Sequence, residues 1–191
     1  MITVETIRER HSVREYDGKP LSRAEFDALG AVVEEYARES GLDIQLVGDN
    51  PEVFNVIARF GLIRGCRTHV AFVVDDAKAG DVAADEAIGY WGQKIVFAAQ
   101  DMGLNTCWCA LCSRRKSRAV VAPGKKIRLI IAVGHGKTQG FSRKTKSVEA
   151  LSSVECAKAP AWFAAAMEAA QLAPTAMNKQ NFKITLLSDG K

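Results

Sequence analysis

Arg10-His11-Ser12-Val13-Arg14 stands at the exit of the chain's opening helix. Ala173-Pro174-Thr175-Ala176-Met177-Asn178-Lys179-Gln180 stands between an alanine-rich helix and a strand near the C-terminus. The first segment offers two guanidiniums, an imidazole and a hydroxyl within five residues. Arginine binds phosphate oxygens through charge-assisted, often bidentate hydrogen bonds, so this donor set suits a phosphate. Read alone, it is also what a helix C-terminus gathers to complement its dipole. The second segment is a loop of amides and hydroxyls, able to hydrogen-bond the polar edge of a planar heterocycle. Phosphate and heterocycle together suggest a phosphorylated flavin.

Working outward, Val4 to Glu9 is a short helix leading into the Arg10–Arg14 segment, and Asp17-Gly18-Lys19-Pro20 is a turn. Ser22 with Glu25 three residues later is a capping-box pattern. It opens a helix over about 23–38, with Phe26, Leu29, Val32, Val33 and Tyr36 on one face. Gly41 ends it, Leu42–Val47 reads as a strand, and a helix follows Pro51 through Val53, Ile57 and Ala58. Thr68–Val74 is a β-branched apolar strand. Asp81–Met102 is the longest helix, capped by Gly103. Its apolar residues cover more than one stripe, which predicts burial on two sides. Ile127–Val133 is a buried strand, Phe141–Ser147 a basic connector, Trp162–Leu172 a helix and Phe182–Leu187 a strand. Asp189-Gly190 after that strand is a hairpin signal without a second strand, so the domain is expected to continue beyond Lys191.

Helices interspersed with about four strands predict an α+β layer, with helices against a small mixed sheet. Neither GxGxxG nor GxxxxGK[ST] occurs, which speaks against a Rossmann dinucleotide fold and a P-loop. The 191 residues are 48% apolar and 25% charged, with a net charge of +4. That balance fits an anionic small ligand and is too mild to argue for nucleic acid. No apolar run approaches the roughly 20 residues that span a bilayer. The mixed charges of Met1–Arg14 do not resemble a signal peptide, so a cytoplasmic location is expected.

The five cysteines do not look like a secreted disulfide framework. Cys107, Cys109 and Cys112 crowd together, and Cys109-x-x-Cys112 offers half of a metal site. A closed zinc or iron–sulfur site needs about four ligands. Cys66, Cys156 and the histidines supply no second paired spacing, so buried or reducible thiols are the better reading and no metal is expected. His69 opens an apolar strand and reads as structural, and no side chain stands out as catalytic acid, base or nucleophile. Gly103-Leu104-Asn105-Thr106-Cys107-Trp108 reads either as a glycine cap followed by a buried tryptophan or as a backbone turn against a flat ligand.

The combination resembles the nitroreductase family of FMN-dependent oxidoreductases. Arg10-His11-Ser12-Val13-Arg14 with Tyr16 is similar to the family's N-terminal R-[RH]-S-x-[RK]-x-[FY] phosphate motif. Gly103–Trp108 is similar to its G-L-G-T-C-W segment after the central helix. Val133-Gly134 followed by Arg143, Lys144 and Lys146 resembles the strand and basic tail that return to the phosphate. Ala173–Gln180 resembles A-P-S-S-x-N-x-Q-P-W. That last motif follows the first long helix in most members, whereas here it comes last, as in a subgroup carrying it near the C-terminus. Asn181-Phe182 replaces the usual Pro-Trp, and Ala176 replaces the second serine.

The resemblance implies a single nitroreductase-like FMN-binding domain over residues 1–191, incomplete at the C-terminus. It implies a layered fold with a mixed, mainly antiparallel sheet and a long central helix. It implies a homodimer with FMN at the interface, to which the 81–102 helix contributes. Arg10, His11, Ser12 and Arg14 would hold the phosphate, with Lys144 and Lys146 closing the site. Pro174, Thr175, Ala176 and Asn178 would reach the isoalloxazine from the other subunit, and Trp108, Cys109, Ala110 and Leu111 would pass over the ring. NAD(P)H would donate hydride, and a nitroaromatic, quinone or related small acceptor would receive it by a ping-pong mechanism. Arg64 is a candidate cation for the charge of reduced flavin. Two other readings are a flavin-binding protein with little turnover, for storage or sensing, and a cysteine-cluster metal protein.

Overall fold

The computed structural model describes residues 3–54, 63–155 and 158–187. They fall into two compact units, Met1–Arg10 with Ser142–Lys191, and His11–Phe141.

The larger unit is built on a four-stranded antiparallel sheet. Its strands are β1 (Asp43–Val47), β2 (Thr68–Asp75), β3 (Asn105–Cys109) and β4 (Lys125–Gly134), in spatial order β1-β2-β4-β3. The expected fold class therefore holds. Two details differ from the sequence reading. The named strands pair only antiparallel, and the fourth is Asn105–Cys109 rather than Phe182–Leu187. The Gly103–Trp108 turn is thus a turn only at its start: Leu104 N–H closes back on Ala99 at 2.9 Å, and the chain enters β3 one residue later. Gly103 takes the left-handed conformation (φ 76°) that ends the preceding helix.

β2 is buried from Thr68 to Val74, as an apolar run covered on both faces must be. One face packs Val70, Phe72 and Val74, with Ile131 and Val133, against two helices. These are α2 (Arg23–Ser40), through Leu29 and Val33, and α3 (Val82–Asp101), through Ile88, Ile95, Val96 and Ala99. The other face packs Ala71 and Val73, with Ile127, Ile130 and Ala132, against Val13, Tyr16, Val53, Phe54, Ile63 and three cysteines. A bulge in β4 reconciles these sets. Phe72 pairs with Leu129 and Val73 with Ile127, so Arg128 is the extra residue, and inward parity changes across it. Arg128 makes a bidentate pair with Asp85 of α3, at 2.8 and 2.5 Å.

α2 begins with the anticipated capping box: Ser22 N–H donates to the Glu25 carboxylate at 2.8 Å, and Glu25 N–H to the Ser22 hydroxyl at 3.3 Å. After Pro51 the chain makes one tight turn, Pro51–Val53. The expected continuation through Ile57 and Ala58 lies outside the described residues, as do Cys156 and residues 188–191.

The smaller unit contains α1 (Val4–Glu9), α4 (Val148–Leu151) and α5 (Ala161–Leu172). Leu151, Phe163 and Met167 form its core, joined by Val148, Phe182, Ile184 and Leu186. Arg8 donates to Glu168 at 2.5 Å, linking α1 to α5. The alternation Phe182-Ile184-Leu186 does face this core, but the segment is not a strand. Its ladder is a single parallel bridge, Ser152 with Ile184, because among the described residues no longer partner runs beside it. Among the described residues no helix is long and apolar enough to cross a membrane.

Candidate functional site

In the larger unit, His11 to Asp17 leaves the helical conformation and runs extended. Val13 N–H donates to Thr106 O at 3.0 Å, beside the edge strand β3. Tyr16 N–H donates to Arg64 O, Arg64 N–H to Arg14 O, and Lys137 N–H to Glu15 O. The segment is thus fixed by backbone bonds on both sides. Val13 and Tyr16 are buried in the core, while Ser12 is half-buried and Arg14 exposed. The buried Val13 thus lies between the half-buried Ser12 and the exposed Arg14. Among the described residues no carboxylate pairs with Arg14. Gly140 is packed on this segment from the other direction: a β-carbon there would lie 2.7 Å from His11 Cβ and 3.4 Å from a Val13 methyl.

Arg64, the candidate cation, is exposed and pairs with Glu15 at 3.1 Å, which offsets its charge. Trp108 of β3 is half-buried. Its indole N–H donates to Gln93 Oε1 at 3.2 Å, and its ring stacks over Phe72 at 6.1 Å. Gly92 of α3 provides its seat, since a β-carbon there would sit 2.4 Å from the ring. Cys109 is buried, whereas Ala110 and Leu111 are exposed just beyond the strand. Gly92 and Gln93 are absent from the sequence reading. The signal for them is a glycine inside a helix, which costs stability unless something needs the space.

In the smaller unit, the basic connector and the late loop are hydrogen-bonded into one substructure. Lys146 N–H donates to Gln180 Oε1 at 2.8 Å, and the Lys146 ammonium to Gln180 O at 3.1 Å. The Gln180 and Asn178 carboxamides both donate to Lys144 O, at 3.1 and 2.8 Å. Gln180 N–H donates to the Thr175 hydroxyl at 3.0 Å. Gln180 is 3% exposed and sits at the hub. In the motif Ala173–Gln180 the residue type alone assigns it no role. Around it the backbone is left-handed at Met177, Asn178 and Gln180 (φ 53°, 55° and 48°), a conformation that costs energy for residues with a β-carbon. The structure therefore brings Lys144 and Lys146 together with Thr175 and Asn178. Pro174 is half-buried and Ala176 exposed in the same loop.

Arg143 has a different task. Its guanidinium donates to Leu172 O and Ala173 O, both at 2.6 Å, at the C-terminus of α5. Burial lowers its pKa. Arg10, the last residue of the smaller unit's N-terminal segment, is 6% exposed.

Burial also governs the titrating core groups. It pushes the Cys66 thiol up to about 12, raises Tyr16, and lowers His69 to about 4. His69 Nε2 shares a hydrogen bond with the Ser117 hydroxyl at 2.8 Å, which fits its structural reading. Among the described residues no three His, Cys, Asp or Glu side chains come together as a metal site.

A family model described as "Putative TM nitroreductase" matches residues 2–191. Among solved structures, the chain is similar to a "putative nitroreductase" of Thermotoga maritima. The two are 20% identical over 98% of this chain and 73% of that one, with a TM-score of 0.63. It is also similar to one from Desulfovibrio desulfuricans in complex with FMN, at 18% identity, 79% and 96% coverage, and a TM-score of 0.59. A third, from Parabacteroides distasonis and named as an NADH dehydrogenase/NAD(P)H nitroreductase, is 20% identical at 80% and 95% coverage, with a TM-score of 0.58. At these identities the likeness is one of fold. No curated protein matches the chain.

Proposed function

Because the chain belongs to the nitroreductase family described as "Putative TM nitroreductase", we propose that it is an FMN-dependent oxidoreductase. It takes hydride from NAD(P)H and reduces a nitroaromatic, quinone or related small acceptor in a ping-pong cycle. The observation that carries this reading is the family match along residues 2–191. The fold shared with an FMN complex from Desulfovibrio desulfuricans supports it.

The residues present fit a flavin mononucleotide. Ser12 and Arg14 are donors flanking the buried Val13, on a segment that backbone bonds to Thr106 and Arg64 hold still. A donor set without a carboxylate partner suits a dianionic phosphate. His11 and Arg10 complete this group, and the family resemblance adds Lys144 and Lys146. Bound FMN would supply the two-electron chemistry itself. The chain's part is to neutralise the phosphate, present backbone and side-chain donors, and exclude water. Trp108, Cys109, Ala110 and Leu111 border the ring in this reading. Pro174, Thr175, Ala176 and Asn178 approach it from the second subunit of a homodimer.

The test is spectroscopic: purified protein should carry or take up FMN, and the flavin bands should bleach with NAD(P)H in the absence of oxygen. Protein that retains FMN without oxidising NAD(P)H would leave the storage or sensing reading in its place.

A further inference from the structure

Cys109 is the last residue of β3, and the chain turns immediately after it. The Cys112 thiol lies back over this turn, 3.6 Å from Cys109 O. The neighbouring Cys109 thiol, and after it the Arg114 cation that opens the following turn, Arg114–Lys116, lower the Cys112 pKa. Arg114 Nε is enclosed and has no hydrogen-bond partner of its own. Cys112 is partly exposed, whereas Cys109 is 4% exposed. The arrangement is a Cys-x-x-Cys dithiol with one reachable cysteine, one buried cysteine, and an arginine two residues further on.

We propose that Cys109 and Cys112 form a thiol–disulfide redox site of their own, oxidised by a small-molecule disulfide. The Cys112 thiolate attacks one sulfur of that disulfide. The disulfide's S–S bond breaks, a mixed disulfide forms on Cys112, and one small thiolate leaves and takes a proton from water. Cys109 then gives up its proton and attacks Cys112 Sγ, expelling the second small thiolate, which is protonated in turn. Two protein thiols have lost two electrons and two protons, and the small disulfide has become two thiols.

The order of events follows from the surroundings. The Cys109 S–H and the Arg114 guanidinium stabilise a Cys112 thiolate and hold its pKa below the ordinary thiol range. Cys109, buried beside that sulfur, is raised and acts second. Cys66 cannot substitute: its S–H is tied to Thr68 O and Val133 O at 3.2 and 3.3 Å in the core. Among the described residues no third His, Cys, Asp or Glu side chain joins the pair as a metal site.

The experiment exposes the intact protein to oxidised glutathione, with and without added FMN, followed by intact mass and peptide mapping. The expected result is loss of two hydrogens, a Cys109–Cys112 disulfide in the map, and reversal by dithiothreitol. Cys109→Ser should instead trap one glutathione on Cys112, and Cys112→Ser should form neither product. Arg114→Ala should slow iodoacetamide labelling of Cys112 several-fold at neutral pH. Persistence of both thiols, pairing of any other cysteines, or a Cys109→Ser protein that takes up no glutathione on Cys112 would each overturn the proposal. None of these readouts depends on flavin turnover.

Discussion

The ring of Trp108 rests on the helix backbone at Gly92, so closely that a β-carbon there would lie 2.4 Å from Cη2. A glycine inside a helix costs about 1 kcal/mol relative to alanine. Here it admits the indole that stacks on Phe72 and donates to Gln93. Gly92→Ala should therefore destabilise the larger unit by about 1–2 kcal/mol, overpacking outweighing the gain in helix propensity. Chemical denaturation followed by tryptophan fluorescence measures it. An unchanged or raised midpoint would show that the ring can move aside freely.

Gln180 holds the late loop to the basic connector through Lys146 N–H, Lys144 O and the Lys146 ammonium. Gln180→Ala should cost about 1–3 kcal/mol, because Lys146 N–H loses its acceptor and a buried, multiply bonded side chain is removed. Hydrogen exchange should speed up at the Lys146 amide. Gln180→Glu should keep the Lys146 amide protected, since a carboxylate still accepts from Lys146 N–H, and lose only the donation to Lys144 O. Native protection at Lys146 in Gln180→Ala would refute this role.

His69 makes stability depend on acid. Burial holds its folded-state pKa near 4, below the ordinary histidine value of 6.5. The unfolded chain therefore binds the proton first. The neutral-His contribution is complete above about pH 6.5 and is lost as the pH falls toward 4, a change of at most about 3 kcal/mol. Replacing His69 with phenylalanine should flatten the stability profile between pH 6.5 and 4, whatever its effect at neutral pH. A profile as steep as that of the parent protein would place the acid sensitivity in other groups.

How much of this is legible in the sequence differs by element. Caps and long periodic helices are local, so Ser22 with Glu25 and the Val82–Asp101 helix read directly. The edge strand Asn105–Cys109 does not. It is five residues of mixed polarity, extended because β4 lies beside it. Conversely, Phe182-Ile184-Leu186 alternates like a strand and meets a small core, yet makes only one bridge. Alternation reports burial of one face, and a ladder needs a neighbour that the local sequence does not show. In the candidate site, the donor types of Ser12 and Arg14 and the motif around Asn178 are visible as chemistry. The Lys144–Asn178 contact spans 34 residues and is visible only in three dimensions. The Asn178 carboxamide faces its own unit's backbone there, a use that the motif alone does not suggest.

The phosphate assignment rests on the charge-assisted bonds of the Arg10–Arg14 segment. Arg10→Ala together with Arg14→Ala should lower FMN affinity by about two orders of magnitude or more, at roughly 1.5–3 kcal/mol for each lost contact. Arg14→Ala alone, at an exposed position, should leave folding intact and still weaken FMN binding about tenfold or more by the same estimate. Fluorescence titration with FMN measures both. Affinity equal to the parent protein's would refute the phosphate role.

The central claim is that this chain binds FMN and reduces it with NAD(P)H, and an anaerobic absorbance spectrum of the purified protein tests it most directly. The account predicts oxidised-flavin bands, present on purification or after adding FMN, that bleach when NAD(P)H is added. A protein that stays colourless and takes up no FMN, or whose bound flavin keeps its oxidised bands with both NADH and NADPH, would contradict it.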